Sequence, residues 1–122
     1  MKRVISLDSI KMESINRKYI ISKSTGRLVL DSKYRNFKKK LIDACEPYED
    51  LGPYSLIIHM ETYLDIDNVL KCILDAVNEK IGNDKDIFEL RVYKKPIKRG
   101  LPGRLDVYID SLVSRCNQVK TI

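Results

Sequence analysis

Apolar positions along the chain recur with two different periods, and the switches between them mark out the elements. Val4 to Leu7 suits a short strand, and Lys18–Ser22 and Arg27–Leu30 flank the turn cluster Ser24-Thr25-Gly26, so a hairpin is expected there. Tyr34, Phe37, Leu41 and Cys45 then recur every three or four residues, which predicts a helix capped at Asp31 or Ser32 and stopped before Pro47. Alternation returns from Tyr54 to Tyr63, with Leu56, Ile58 and Met60 on one side and Ile57, His59 and Glu61 on the other. A second helix follows from about Asp67 to Lys80, with Val69, Leu70, Ile73, Ala76, Val77 and Ile81 as its buried stripe and Gly82 as a left-handed stop. Phe88, Leu90 and Val92 alternate with Glu89, Arg91 and Tyr93, and Leu105, Val107 and Ile109 alternate with Asp106 and Tyr108. These read as two further strands joined by a hairpin loop over 95–103. Residues 111–122 have too weak a pattern for any element and form a candidate flexible tail. Together the segments predict a single α+β domain over 1–122, a small mixed β-sheet with two main helices.

The totals agree with that picture and narrow it. At 122 residues and 14.2 kDa, with 43% hydrophobic and 33% charged positions, the chain can bury one core without metal or disulfide staples. No apolar run reaches the length of about 20 residues that spans a bilayer, and the start shows no signal-peptide pattern, so a cytoplasmic location without membrane contact is expected. Cys45, Cys72 and Cys116 are odd in number and lie outside any CxxC spacing, which predicts reduced, mostly buried thiols. His59 is the only histidine, and with no second ligand type near it a structural role is expected.

Charge changes the picture more. The net charge is +6, which suits an anionic partner such as nucleic acid. Arg91, Lys94, Lys95, Lys98, Arg99 and Arg104 follow one another with no acid between 91 and 104, whereas Asp65, Asp67, Asp75, Glu79, Asp84, Asp86 and Glu89 gather just before and around that run. Asn16, Arg17, Lys18 and Arg27 add polar and basic positions to the first hairpin. A basic stretch beside acidic side chains is the composition that a metal-dependent phosphodiester site requires.

Asp65-Ile66-Asp67-Asn68-Val69-Leu70-Lys71 stands where an extended segment gives way to a helix. Two nearby carboxylates repel, and a divalent cation relieves that repulsion; magnesium or manganese takes oxygen ligands and completes its shell with water and phosphate oxygens. Lys71, one turn after Asp67, can stabilise charge on a phosphate. Asp84, after the helix, is the candidate third ligand, provided the fold returns it to the helix start. Each residue also has a plain structural reading: Asp65 or Asp67 as a helix cap, Lys71 as the partner of Asp75, Asp84 as a turn residue.

These blocks, followed by Leu74-Asp75-Ala76-Val77-Asn78, Asn83-Asp84, Lys94-Lys95-Pro96 and Gly103-Arg104-Leu105, resemble the RusA family of Holliday-junction resolvases over the C-terminal half of the chain. Asn16-Arg17-Lys18-Tyr19, Gly26-Arg27 and 32–35 resemble the family's N-terminal region more loosely. Two positions depart from its pattern. Asn83 stands where many members have a second acid, and Lys11-Met12-Glu13-Ser14 replaces a proline-containing approach to the asparagine motif.

The resemblance implies a RusA-like fold and a homodimeric, magnesium-dependent endodeoxyribonuclease that nicks four-way DNA junctions symmetrically in recombination and repair, of a kind frequent in phage and prophage. It carries the metal ligands to Asp65, Asp67 and Asp84 and the essential lysine to Lys71. Lys94, Lys95, Lys98, Arg99 and Arg104, with Asn16, Arg17 and Arg27, are the expected DNA contacts. Two other readings stay open: a non-catalytic nucleic-acid-binding module with structural aspartates, and a nuclease acting on other branched DNA.

Overall fold

A computed structural model of the chain describes residues 1–14, 19–26, 28–30, 32–48, 52–82 and 84–112, with backbone alone at 19, 20, 28–30 and 84. The elements run in the order β1 (Lys2–Ile10), β2 (Tyr19–Ile21), β3 (Leu28–Leu30), α1 (Ser32–Ala44), β4 (Tyr54–Thr62), α2 (Ile66–Ile81), a 3-10 turn (Asp84–Asp86), β5 (Ile87–Pro96) and β6 (Gly103–Ser111). This is a single small α+β domain. β2 and β3 form the expected hairpin, and the other strands make a mixed sheet in the order β1-β6-β4-β5, with β4 parallel to β5 and antiparallel to β6. The cap at Asp31, Asn83, Cys116 and the tail from 113 lie outside the described residues.

Alternation along β4 and β6 sets the two faces of the sheet. Leu56, Ile58 and Met60 from β4, Leu105, Val107 and Ile109 from β6, and Ile5 from β1 are buried in one cluster with both helices. α1 contributes Tyr34, Phe37 and Leu41; α2 contributes Val69, Cys72, Ile73, Ala76 and Val77. Burying each valine or isoleucine side chain stabilises the fold by roughly 1.5–3 kcal/mol relative to leaving it in water. Cys45 and Cys72 are buried free thiols, as expected, and burial pushes the Cys45 thiol up against the smaller opposing pull of Lys80. No helix of the described residues is long and apolar enough to cross a membrane.

Two sequence expectations need correction, at the segment after β5 and at Gly82. The segment after β5 is not a hairpin loop, because β4 lies between β5 and β6, and residues 97–102 instead cross the end of β4. Phe88 and Leu90 are 69% and 41% exposed on the edge strand β5, whose Ile87 and Val92 still pack against the core. Gly82 ends α2 with its N–H donating to the Asn78 carbonyl at 3.1 Å, but at φ 149° and ψ −161°, an extended conformation open to glycine rather than the compact left-handed one.

Gly103 shows how tightly the centre of the sheet is closed. A Cβ at this position would collide with the Glu61 carbonyl oxygen and lie 3.2 Å from that of Ile10, both backbone atoms that cannot swing aside. Gly103→Ala is therefore expected to cost about 1–3 kcal/mol, seen as a lower midpoint in urea or thermal denaturation.

Candidate metal and nucleic-acid site

β4 delivers the aspartate motif to the helix start. The Leu64 N–H donates to the Thr62 hydroxyl at 3.1 Å, and the Asn68 N–H donates to the Asp65 carbonyl at 3.0 Å, opening α2. Asp65 holds the N-cap position with φ −68° and ψ 149°, yet its side chain makes no capping hydrogen bond. Asp67 lies exposed in the first turn, where the helix dipole favours negative charge. Neither carboxylate joins a salt bridge among the described residues. Two hard oxygen donors thus stand unspent, two residues apart, on a helix whose opposite face is fixed in the core.

Lys71 follows one turn later on the exposed side. Its ammonium donates to Asp75 at 2.9 Å, in an i,i+4 pair that leaves the lysine side chain 59% exposed. Such a pair contributes at most about 1 kcal/mol, so Lys71 can exchange Asp75 for a phosphate at small cost.

Asp84 does not join them within one chain. β4 pairs with β5 from Tyr54–Ile87 at one end to Thr62–Pro96 at the other. α2 must therefore run back along the sheet, and its 16 residues span about 24 Å. Asp65 stands at the Thr62 end, whereas Asp84 opens the turn into β5 at the Tyr54 end. The expected cluster of Asp65, Asp67 and Asp84 in a single chain is thus ruled out by the crossover, since no aspartate side chain bridges the length of the helix. Among the described residues no three acidic, histidine or cysteine side chains gather as a metal-holding group.

The basic residues are also divided. Lys98 and Arg99 lie exposed in the segment between β5 and β6, which reaches the motif: the Ile97 N–H donates to the Thr62 carbonyl at 3.3 Å, and the Arg99 guanidinium lies 5.9 Å from the Tyr63 ring centroid. Lys11, Lys33, Tyr63 and Arg99 line an open cleft of about 420 Å³ beside it. Lys11 and Lys33 were not singled out in sequence because they are isolated there; Tyr63, an aromatic just before the motif, was the one available signal.

Lys95 and Arg104 face the opposite side of the sheet, where acids hold them. Lys95 pairs with Glu61 at 3.7 Å, and Arg104 pairs with Asp106 at 2.8 Å and Asp8 at 3.6 Å. The hydrogen bond that Arg104 donates to Asp106, and then the negative charge of Asp106, push the Arg104 guanidinium further up from its already high value. Lys94 sits half-buried on the helix side, opposite Met60. The expected DNA contacts are thus divided, Lys98 and Arg99 on the motif side and Lys95 and Arg104 on the other, because strand alternation sends neighbouring lysines to opposite faces. Asn16, Arg17 and Arg27 lie outside the described residues. His59 is exposed on the far face, its ring stacked on Tyr93 at 4.9 Å and edge-on to Tyr108 at 5.8 Å, a packing role rather than a core one.

In comparisons with known proteins, no family model matches the chain and no curated protein is detectably similar to it.

Because neither a capping hydrogen bond nor a salt bridge is lost, Asp65→Asn is expected to change unfolding free energy by no more than about 0.5 kcal/mol, the weakened helix-dipole interaction being the only loss. Urea denaturation of the two proteins checks this.

Proposed function

We propose that this protein is a magnesium-dependent endonuclease that resolves four-way DNA junctions by paired symmetric nicks, working as a homodimer in recombination and repair. The observation that carries the reading is the pair of unspent carboxylates, Asp65 and Asp67, on a rigid helix start with Lys71 one turn beyond. The resemblance of the same residues to the RusA pattern supports it. A cytoplasmic setting and a phage or prophage origin belong to the same proposal.

The residues suit a hard divalent cation, since magnesium is commonly held by one or two carboxylates with water and substrate phosphate oxygens filling the remaining positions. Bound there, magnesium (or manganese) would supply a water of lowered pKa and neutralise charge on the phosphate. Asp65 and Asp67 would hold and orient it. Lys71 would turn from Asp75 towards a phosphate oxygen, meeting negative charge as it grows during bond cleavage. Lys98 and Arg99, with Lys11 and Lys33 across the cleft, would grip the sugar-phosphate backbone and set its register, a role that needs charge but no base reading.

Asp67→Asn keeps the shape and the helix-starting tendency of the residue but makes it a poorer, uncharged ligand. Cleavage of a synthetic four-way junction in magnesium is expected to fall by at least about a hundredfold, a loss of some 2.7 kcal/mol in transition-state stabilisation, while melting and junction binding stay as in the parent. Undiminished cutting would reassign the aspartates to structure. Parallel flap and linear duplex substrates show whether the four-way junction is the preferred one.

The Lys98→Ala, Arg99→Ala double variant is expected to weaken junction binding and make the slope of log K against log salt shallower by roughly 1–2. An unchanged slope would remove this segment from the DNA surface.

A further inference from the structure

α1 and α2 pack against each other over the same core but differ sharply in charge. α2 sets Asp67, Asp75 and Glu79 against Lys71 and Lys80, close to balance. α1 sets Lys33, Arg35, Lys38, Lys39 and Lys40 against Asp43 alone. Tyr34, Phe37 and Leu41 turn one side of α1 into the core. Arg35, Asn36, Lys39 and Lys40 then share the other side, three or four residues apart, and all four are exposed. Lys38, at the rim, reaches Glu79 at 3.3 Å, whereas Arg35, Lys39 and Lys40 join no salt bridge among the described residues.

This arrangement works against the helix that carries it. Arg35 and Lys39 stand one turn apart, a like-charge spacing that weakens a helix. Arg35 also lies near the helix start, where the macrodipole favours acids, and the first turn holds none. Cations that oppose their own helix and form no ion pair in the described fold call for a partner outside it.

The position of α1 says which partner. Lys33, at its start, lines the cleft with Lys11, Tyr63 and Arg99 beside the aspartate motif. Just past its other end the Glu46 N–H donates to the Val4 carbonyl at 2.8 Å, towards the end of the sheet where Lys2 pairs with Ile109 and Tyr54 with Ser111. The cationic side therefore begins at the motif and runs back along the sheet. Its rise from Lys33 to Lys40 is about 10 Å, the length of about three phosphates of one DNA strand. A membrane surface would ask for apolar side chains beside the cations, but Tyr34, Phe37, Leu41, Ile42 and Ala44 all belong to or pack on the core.

We propose that the outer face of α1 is a second DNA-binding surface, on which Arg35, Lys39 and Lys40, with the Asn36 amide as a donor, hold the sugar-phosphate backbone of the duplex arm leaving the aspartate motif. That this duplex is an arm of a cleaved junction rests on the nuclease reading; the grip of α1 on duplex backbone does not. Such a surface reads no bases, so its contribution depends on salt and not on sequence.

Anisotropy of a labelled four-way junction, titrated without magnesium over a range of salt, tests this. Arg35→Gln, Lys39→Gln and Lys40→Gln together should weaken binding at least about tenfold near 0.1 M salt and make the slope of log K against log salt shallower by roughly 2–3. The thermal midpoint should hold or rise, because the like-charge cost leaves with the cations. Lys2→Gln with Lys80→Gln removes charge from elsewhere and should alter the slope by less than about 1. Asp43→Lys extends the cationic side by a turn and should tighten binding and steepen the slope by about 1, which damage to the fold does not produce. An unchanged slope in the triple variant overturns the proposal, as does an equal loss per charge in the Lys2, Lys80 variant or an Asp43→Lys chain that binds no tighter. Tighter capture by phosphatidylserine vesicles than by duplex overturns it in favour of a membrane. A wild type that binds the junction with these variant effects but does not cut it in magnesium overturns the nuclease reading and leaves this surface in place.

Discussion

Packing of the α2 stripe against β4 is the contact on which the other features depend. β4 is hydrogen-bonded on both sides, and its inward residues Leu56, Ile58 and Met60 meet the layer that holds Val69, Ile73 and Val77. A helix held in this way has a rigid first turn, and that rigidity passes to Asp65 and Asp67. The same contact has a cost for the site. Because β4 and β5 are parallel, their connection must return along the full sheet, and α2 carries residue 84 away from residue 65 by its own length.

The polar groups sort into those already engaged and those still available. On the open face Asp106 is nearly buried and accepts hydrogen bonds from Ser6 at 3.0 Å and Arg104 at 2.8 Å, with Arg3 close by at 3.8 Å, so this cluster serves the sheet itself. Lys38 of α1 reaches Glu79 of α2 at 3.3 Å and ties the helices at their rim. At the helix start Asp65 and Asp67 join no salt bridge among the described residues.

Much of this was legible from spacing alone. Period-two runs around Leu56 to Met60 and Leu105 to Ile109, the helical spacing of Tyr34, Phe37 and Leu41, and the stripe from Val69 to Val77 each state which side of an element must leave water, and they match the observed elements. Such periods are local, since they depend on how one residue's side chain points relative to the next few. Which strand lies beside which is not local. The insertion of β4 between β5 and β6, the exposure of Phe88 and Leu90, the dispersal of Lys94, Lys95 and Arg104 to different faces, and the separation of Asp84 from Asp65 follow from competition among distant pairings, settled by burying the most apolar strands in the middle. The sequence by itself determined the elements, their inward faces and the carboxylate pair at the start of α2; only the tertiary structure decided which of the other charged residues can stand near that pair, because distance along a chain does not set distance across a sheet.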